Sequence, residues 1–570
     1  MFAFSFRGKF DRFQTCPQTP KGNESMHTRL NILWISFEDT SPRFGCYGDP
    51  IARTPNVDRL ASEGCRYPNL FGTAPVCAPN RAAIITGLYP TSCGTHHMRT
   101  VGGTPLSDQF PGPYHTLVPH YVRCIPEYLR AAGYFCTNNV KTDYQFAPPV
   151  SAWDWCRKGA HWRDRPDPDQ PFFCVFNLDQ THESGQWDPY DTDVLRAGVM
   201  EPKEQTETDP DAVVLPPYLP DTPEVRKALA RQYDNIAHND HIVGRLLKEL
   251  EEDGLAEQTI VFIWSDHGEG LPRAKRWPYD AGVHVPLILR WPGQIAPGTV
   301  DRRMVSSIDL GPTVLALAGL DIPRHIQGVP FLGPQARERH YCFSARDRFG
   351  TAYDMVRTVR DPRYRYIRNF CPESPRMAWS DYRSRHPAER EIWKRYLHGT
   401  LQGHQHWFFN DPRPTEELYD CHHDPWQLHN LAHEPALNDT LERMRNALED
   451  WRREVGDLGE LDETVMKRWW YPDHERPTTD APIIVPIHAE NELMEPTEVG
   501  GRFTAPLRVL LHVPMQGASI VYTFDDFEDP HWLLYTGPIA MPPGQTTLRT
   551  KAIRIGYHES PERSLALEVV

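Results

Sequence analysis

Short, unbroken apolar runs alternate with a long amphipathic stretch in the first part of the chain. The runs at 31–37, 259–264 and 285–289 show no polar alternation, which is typical of strands buried on both faces of a parallel sheet. Residues 223–253 instead repeat apolar positions with helical spacing, and Thr222 before a proline marks the start of that helix. This order of elements predicts an α/β fold with a mixed, mainly parallel sheet and helices on both faces.

The pattern changes after this region. Residues 309–320 predict a further helix closed by Gly319, and from about residue 340 the chain becomes rich in Arg and Tyr, as in 364–368. Tyrosine and other β-favouring residues in short runs predict a small antiparallel subdomain there. We therefore expect a second, smaller structural unit after the α/β domain.

The C-terminal part is predicted to be all-β. Residues 476–482 (RPTTDAP) have the composition of a linker, and the alternating runs at 509–513 and 520–524 are separated by Gly and Pro turns. The sequence thus predicts four segments: a poorly ordered N-terminal extension (1–25), an α/β domain (26–335), an α+β subdomain (336–480) and a β-sandwich appendix (481–570).

Composition narrows the possible partners. The 570 residues are 39% apolar and 11% aromatic, enough for a large packed core. The formal net charge of -15 argues against a general nucleic-acid or anionic-membrane surface. An anionic substrate would therefore need a local cationic pocket.

Targeting signals and cysteine usage point to one compartment. The apolar N-terminal run is interrupted by Arg7 and Lys9, and no stretch of about 18 apolar residues follows. The twelve cysteines show no repeated spacing and none follows Cys421, unlike a disulfide framework. We expect a soluble cytoplasmic protein with reduced thiols.

Acidic residues follow two of the predicted strands. Glu38 and Asp39 come after the strand at 31–37, and Asp266 and His267 follow the strand at 259–264. Open α/β sheets place their sites at the carboxyl edge of the strands, so these groups are expected to meet. Asp39 and Asp266 also have a plainer interpretation as helix caps.

A lone cysteine provides candidate chemistry. The stretch 75–90, PVCAPNRAAIITGLYP, places Cys77 in a turn before an apolar helical run, with Arg81 four residues later. A free cysteine taken by itself is more often a buried structural residue than a catalytic one. Its neighbours decide otherwise, because Cys77-Ala-Pro79-Asn-Arg81 and Thr86-Gly87 resemble the signature of type I sulfatases.

The resemblance covers nearly all of residues 30–460 and is nearest to bacterial sulfatases related to heparan N-sulfatase. It implies an alkaline-phosphatase-like fold, with the sulfatase catalytic domain over 26–335 and its C-terminal subdomain over 336–480. It also implies that Cys77 is oxidised to formylglycine by a formylglycine-generating or anaerobic sulfatase-maturing enzyme.

The same resemblance implies one Ca²⁺ per chain. Its ligands would be Glu38, Asp39, Asp266 and His267, with the modified side chain at Cys77 completing the set; His267 has the alternative role of a hydrogen-bond donor to a sulfate oxygen. Glu38 departs from the family pattern, which usually has Asp at that position. An oxygen-rich set of this kind favours calcium over zinc.

Cationic and imidazole side chains complete the implied site. Arg81, Lys141 and Lys275 would neutralise the sulfate, and His182 or His97 would protonate the leaving oxygen. His182 and Lys275 also have plainer interpretations, as a core or loop histidine and as a lysine on a solvated loop.

Two substitutions depart from the family. Asp143 replaces the histidine two residues after the lysine, which makes His97 a substitute candidate for proton transfer, and Asn80 replaces the serine before Arg81.

The chemistry explains the residue types. Sulfate-ester cleavage needs a strong nucleophile and cations around the sulfate oxygens. A hydrated aldehyde carries two hydroxyl groups on one carbon, so one attacks sulfur and deprotonation of the other then releases sulfate. A serine at the same position would remain sulfated.

Two other functions remain open from the sequence. One is a phosphoester or phosphonate hydrolase of the same superfamily, and the other is an unmodified pseudoenzyme that binds sulfated glycan. The expected substrate is a sulfated small molecule or glycan, and the resemblance favours a carbohydrate over a steroid or aryl sulfate. Basic and aromatic residues that could line its cleft, or equally lie on a solvated surface, are Arg99, Trp277, Arg346 and Arg348.

The appendix resembles the C-terminal module of chitobiase and β-hexosaminidase. The matching stretches are 518–524, 535–539 and 547–552. The resemblance implies a β-sandwich that docks on the catalytic domain, pairs protomers in an oligomer, or contacts glycan.

Overall fold

The computed structural model describes residues 30–98, 100, 111, 113–187, 207–378, 380, 382–488 and 494–570. The predicted extension over 1–25 and Arg99 lie outside these residues. Among the described residues, no helix has both the length and the apolar character needed to cross a bilayer.

A nine-stranded sheet forms the centre of the described part of the chain, in the order β4-β3-β5-β1-β6-β7-β2-β8, with β9 beside β2. All neighbouring pairs are parallel except those that β7 makes with β6 and β2. The strands are β1 Asn31–Phe37, β2 Cys65–Phe71, β3 Phe135–Asn139, β4 Trp155–Cys156, β5 Phe172–Leu178, β6 Thr259–Ser265, β7 His284–Arg290, β8 Thr299–Val300 and β9 Val305–Ser306. The predicted mixed, mainly parallel sheet is confirmed.

Helices cover both faces of this sheet, as the unbroken apolar strands require. They are α1 Pro55–Glu63, α2 Cys77–Thr86, α3 Pro90–Cys93, α4 Ile125–Ala131, α5 Pro223–Glu252, α6 Asp280–Val283 and α7 Leu310–Leu317. Residues of α1 and α5 share one apolar core with β1, whereas α2, α4 and α7 pack in a second core on the other face. The central sheet is therefore a buried layer between two layers of helices.

Local signals explain the helix boundaries, with two differences from the sequence analysis. Thr222 caps α5 as predicted, because its hydroxyl accepts a hydrogen bond of 3.3 Å from the Val225 amide. Cys77 was expected in a turn, but it is the first residue of α2. The predicted helix at 309–320 is shorter, since a 3₁₀ turn over Ser307–Asp309 precedes α7.

The next unit is a four-stranded antiparallel sheet, as the Arg- and Tyr-rich runs predicted. It carries α9 on one face through Leu441, Met444, Leu448 and Trp451. Its elements are β10 Cys342–Arg346, β11 Val356–Arg360, β12 Tyr364–Asn369, α8 Pro387–Leu397, β13 Glu416–Asp420, α9 Asn438–Val455 and α10 Glu463–Trp470.

The C-terminal part consists of two small sheets around one apolar core. Its strands are β14 Ile483–Ile487, β15 Gly501–Phe503, β16 Arg508–His512, β17 Ala518–Thr523, β18 Leu533–Leu534, β19 Ile539–Ala540, β20 Gly544–Arg554 and β21 Arg563–Val569.

Polar contacts join this module to the α/β domain. The Ser519 hydroxyl donates to Glu127 at 2.7 Å, and His531 Nε2 lies 2.9 Å from Asp154.

Candidate active site

The candidate site lies where β1 and β6 end side by side. Phe37 and Ser265 pair at the last positions of these parallel strands, so the residues that follow them emerge at the same edge. The Asp39 amide donates to Asp266 Oδ1 at 3.1 Å, and both side chains are fully buried. The sequence expectation that two strands bring their acids together is thus met by direct contact.

Four side chains at this edge have the arrangement of a metal site. Ligand atoms of Glu38, Asp39, Asp266 and His267 all lie within 4.8 Å of one another. His267 Nδ1 is 2.9 Å from the Gly268 carbonyl oxygen, which leaves Nε2 facing Asp39 Oδ1 at 3.0 Å. Neither of these two facing atoms has a hydrogen-bond partner among the described residues.

These observations fit a bound cation. Buried polar atoms are normally paired: Asp39 Oδ1 and His267 Nε2 pair with each other when the imidazole is protonated, and both atoms are free to bind an ion when it is not. Burial opposes a charge on His267, but Asp266 and Asp39 raise the pKa of its imidazole to about 10. A metal ion at Nε2 would take the place of that proton. Three carboxylates and one imidazole suit a hard divalent cation.

Cationic side chains surround the carboxylates. Arg81 donates to Glu38 Oε2 and to Asp266 Oδ2, each at 2.9 Å. Lys141 Nζ lies 2.5 Å from Glu38 Oε1 and Lys275 Nζ lies 2.6 Å from Asp39 Oδ2. Burial works against the charge of Lys275, but Asp39 and Glu183 together raise the pKa of its amine above the usual value. All three cations therefore remain charged and attract an anion.

Cys77 begins α2 beside the four candidate metal ligands Glu38, Asp39, Asp266 and His267, which are called the metal cluster below. Its sulfur lies within 4.8 Å of ligand atoms of Glu38 and His267, and its side chain is fully buried. The N-terminus of a helix favours negative charge, and Arg81 lies one helical turn later on the same face. The position thus combines a nucleophile with an anion-binding environment.

The two candidate histidines occupy different surroundings. Burial and the nearby positive charge of Lys275 lower the pKa of His182 to about 3, although the negative charge of Asp39 acts in the opposite direction. His182 therefore stands at the metal cluster in its neutral form. His97 is buried beside His96, with ring centroids 4.2 Å apart, and neither of its ring nitrogens has a hydrogen-bond partner among the described residues. Burial, His96 and Arg348 lower the pKa of His97 well below 6.5.

Asp143 lies between the site and an open cavity. Its carboxylate is 3.4 Å from Lys141 Nζ. With Ala78, Met98, His115 and Gln145 it lines a cavity of about 260 Å³. Since Ala78 follows Cys77 directly, the cavity is next to Cys77.

The sequence analysis missed three residues that hold the site together. The Glu183 amide donates to Asp39 Oδ2 at 2.7 Å, while its carboxylate pairs with Arg276 and lies 3.1 Å from Lys275. Asn177 Oδ1 accepts from Arg81 at 2.8 Å. A polar residue near the end of the apolar run 172–178 was the only sequence signal for Asn177.

Asn80, noted as a substitution, has a clear structural place. Its Oδ1 accepts from the Thr73 amide at 2.8 Å and from the Ser307 hydroxyl at 2.7 Å, and its amide donates to the Asp266 carbonyl. It thereby ties the loop before Cys77 to the metal-binding segment.

Known proteins identify this arrangement. A family model described as Sulfatase matches residues 30–320, slightly more than half of the chain. An ulvan-active sulfatase of Formosa agariphila is 39% identical over 572 residues, covering 95% of this chain and 92% of that protein. The chain belongs to the sulfatase family. It is therefore a sulfuric ester hydrolase.

More distant relatives agree with this assignment. The human N-sulphoglucosamine sulphohydrolase is 26% identical over 463 residues, covering 75% of this sulfatase and 90% of the human protein. A solved 2-O GAG sulfatase superposes with a TM-score of 0.55 at 20% identity, covering 75% of this chain and 93% of that one. The fold is the alkaline-phosphatase-like fold of sulfatases.

Proposed function

We propose that this sulfatase removes sulfate from a carbohydrate, using formylglycine made from Cys77 and a calcium ion held by Glu38, Asp39, Asp266 and His267. The observation that carries the proposal is the position of Cys77, which lies in contact range of the metal cluster at the start of α2. A structural thiol needs neither ligand atoms nor cations around it, whereas a nucleophile for sulfate transfer needs both.

Two groups would supply the nucleophile and the polarisation of the sulfate. Formylglycine in its hydrated form offers a nucleophilic hydroxyl and a second hydroxyl that allows sulfate to leave, and Ca²⁺ would polarise the sulfate oxygens. The family membership supports the first group. The clustered ligand atoms of Glu38, Asp39, Asp266 and His267 support the second.

The chain's own residues orient the substrate and move protons. Arg81, Lys141 and Lys275 present positive charge to the sulfate, and each is held in place by an acidic partner. Neutral His182 needs a proton before it can act as a general acid. An anion bound beside Lys275 would raise the pKa of His182 by cancelling the neighbouring positive charge.

Two observations support a carbohydrate substrate: the names of the relatives and the size of the cavity beside Ala78. The relatives named for ulvan and for N-sulphoglucosamine act on sulfated glycans. In this chain, the cavity of about 260 Å³ beside Ala78 offers room for the sugar next to the nucleophile. The Asp143 carboxylate in its wall can accept hydrogen bonds from sugar hydroxyl groups.

One experiment tests the nucleophile directly. The protein is produced together with a formylglycine-generating enzyme, and peptides that contain Cys77 are weighed by intact-peptide mass spectrometry. We expect the aldehyde at this position. An unmodified thiol in catalytically competent protein would exclude the proposed nucleophile.

A second measurement tests the reaction and the substrate. Release of nitrophenol from its sulfate and phosphate esters is compared, followed by sulfate release from sulfated mono- and disaccharides. The proposal requires a larger kcat/KM on the sulfate ester and turnover of at least one sugar. A preference for phosphate, or activity confined to aryl and alkyl sulfates, would contradict it.

A further inference from the structure

A second cavity, lined by cationic side chains, adjoins the segment that leads into α2. Its lining includes Val76 and Pro79, which flank Cys77, together with His96, Arg276 and Arg346. Val76, Cys77, Met98 and Phe349 form one small apolar cluster. Residues that pack against Cys77 therefore also line this cavity.

Several buried donors around this cavity lack acceptors. Arg346 Nη1, Arg276 Nε and both ring nitrogens of His96 have no hydrogen-bond partner among the described residues. The Arg276, Arg346 and His96 side chains belong to residues that are each less than a tenth exposed. Arg346 Nη1 and Arg276 Nε are donors, and the neutral His96 ring adds one N–H donor. Since buried donors are costly when unpaired, these three donors indicate a missing acceptor.

The charge around Arg346 is not balanced by its own partner. Arg346 Nε lies 3.1 Å from Asp354, but the same carboxylate accepts two hydrogen bonds from Arg413, at 2.9 and 2.6 Å. One carboxylate therefore serves two guanidinium groups. Burial, together with nearby Arg413 and Arg383, lowers the pKa of Arg346 to about 9 against the pull of Asp354.

The other charged groups in the wall are already occupied. Asp347 gives both carboxylate oxygens to Arg357, at 3.1 and 2.9 Å. Arg348 pairs with Glu463, and the terminal nitrogens of Arg276 pair with Glu183. The uncompensated positive charge is therefore located at Arg346.

We propose that Arg346, with His96 and Arg276, binds a second anionic group of the substrate, a carboxylate or a further sulfate on the sugar next to the cleavage site. This inference rests on the proposed carbohydrate substrate. The cavity has a volume of about 10 Å³, which is the room of one water molecule. One oxygen atom of an oxyanion fits that space while the rest of the group lies at its mouth.

The geometry also indicates that this subsite prefers oxyanions. The planar guanidinium of Arg346 packs over Trp277, with its central carbon 3.5 Å from the ring centroid, so its orientation is fixed. A fixed guanidinium recognises oxyanions better than a flexible ammonium does. None of the described residues that line the larger cavity beside Asp143 is an arginine or a lysine. Hence the two cavities would discriminate between an anionic and a neutral part of the same substrate.

The test uses four sulfated disaccharides that share the scissile sulfate. One carries a neighbouring uronic acid, one is its carboxyl-reduced form, one carries a second sulfate on the neighbouring sugar, and one carries neither anion. We expect the wild-type kcat/KM to be about 10- to 100-fold higher for the carboxylate or the second-sulfate substrate than for its neutral counterpart, the range of one charge-assisted hydrogen bond. The arm that shows the preference identifies the anion.

Variants then assign the preference to the residue. Arg346→Gln should reduce the ratio of anionic to neutral kcat/KM to near one, and Arg346→Lys should restore part of it. Arg453→Gln removes an arginine whose side chain is 77% exposed on α9 and should leave the ratio unchanged. A uniform loss on all four substrates with an unchanged ratio would indicate a structural role and overturn the inference.

Failure of the proposal and of its premise look different. Equal wild-type rates on all four sugars would mean that the cavity holds only water, and would overturn the anionic subsite alone. Absence of sulfate release from every sugar, with aryl sulfate still cleaved, would overturn the carbohydrate substrate and this inference together.

Discussion

Asp39 contacts both a candidate metal ligand, His267, and a cationic side chain of the site, Lys275. Its Oδ2 accepts from Lys275 and from the Glu183 amide, while Oδ1 points to His267. The backbone φ of Asp39 is 45°, a left-handed value that is uncommon for a residue other than glycine. The surrounding contacts hold the residue in this conformation, which is typical of strain kept at functional sites.

Asp39→Asn should therefore empty the metal site. The amide nitrogen brings hydrogens toward Lys275 and the Glu183 amide, and the remaining carbonyl oxygen is a weaker ligand than a carboxylate. We expect calcium per chain, measured by elemental analysis after dialysis, to fall severalfold, and kcat/KM to fall by about 100-fold or more. Asp450→Asn, at a side chain that is 70% exposed, is the matched control. Unchanged metal content would show that Asp39 is not a ligand.

Cys77→Ser tests the need for two hydroxyl groups. A serine hydroxyl can attack sulfur once, but no second hydroxyl is present to release the sulfate. We expect turnover to stop after one event, with a stable mass increase of one sulfate on the introduced serine. Cys77→Ala should show neither turnover nor adduct. Sulfate release by Cys77→Ser in excess of enzyme would refute the hydrate mechanism.

Helix α8 depends on a buried histidine at its start. His386 Nδ1 accepts from the Ala388 amide at 3.1 Å, and Nε2 lies 2.9 Å from the Gly270 carbonyl oxygen. This pattern requires the neutral tautomer with hydrogen on Nε2. Burial is the main cause that lowers the pKa of His386 to about 4. The histidine thus joins α8 to the loop that follows β6.

This contact should make folding sensitive to acid. The unfolded histidine has a pKa of about 6.5, so between that value and about 4 the unfolded chain binds a proton that the folded chain does not. Stability is therefore lost as the pH falls through this window. His386 should contribute about 2 kcal/mol to the decrease between pH 7 and 5.

The measurement compares denaturant unfolding at the two pH values. His386→Gln should lower stability at pH 7 but show a smaller loss on acidification than the wild type. His398→Gln, at an exposed position just after α8, provides the control. Equal pH dependence of wild type and His386→Gln would contradict the assignment.

The C-terminal module approaches the α/β domain through tight turns. Gly517 has a φ of 82°, and a Cβ atom there would lie 2.4 Å from the His120 carbonyl oxygen. Gly556, with a φ of 87°, stands in the same relation to Thr116 at 2.3 Å. Backbone contacts this close require glycine. The two turns therefore fix the module against the domain.

Gly517→Ala should weaken this docking. The new methyl group must displace the His120 backbone, so we expect faster proteolysis of the segment between α10 and β14 and a lower melting temperature. Gly544→Ala separates the effects, because Gly544 has a φ of 97° but no atom within 4 Å of its Cβ position. Both variants carry the cost of about 1–2 kcal/mol for a left-handed alanine. Identical behaviour of the two would show that contact with His120 is unimportant.

Sequence patterns predicted the main architecture for a physical reason. The apolar runs at 31–37 and 259–264 must be buried on both faces, and parallel strands bring their following residues to one edge. That reasoning alone places the acids after β1 and β6 together. The pattern could not predict that β7 is antiparallel, since an apolar strand carries no signal of its direction.

Local sequence determined the elements, the nucleophile segment and the acidic pairs, because each depends on neighbouring residues. Apart from the acids after β1 and β6, tertiary structure alone decided which distant groups meet. Glu183 and Asp39 are 144 positions apart, and the distinction between His182 at the metal cluster and His97 in a separate pocket depends on packing. The excess charge at Arg346 arises because one carboxylate, Asp354, lies between two guanidinium groups. Such contacts depend on how the sheets and helices pack, so patterns of neighbouring residues in the sequence do not predict them.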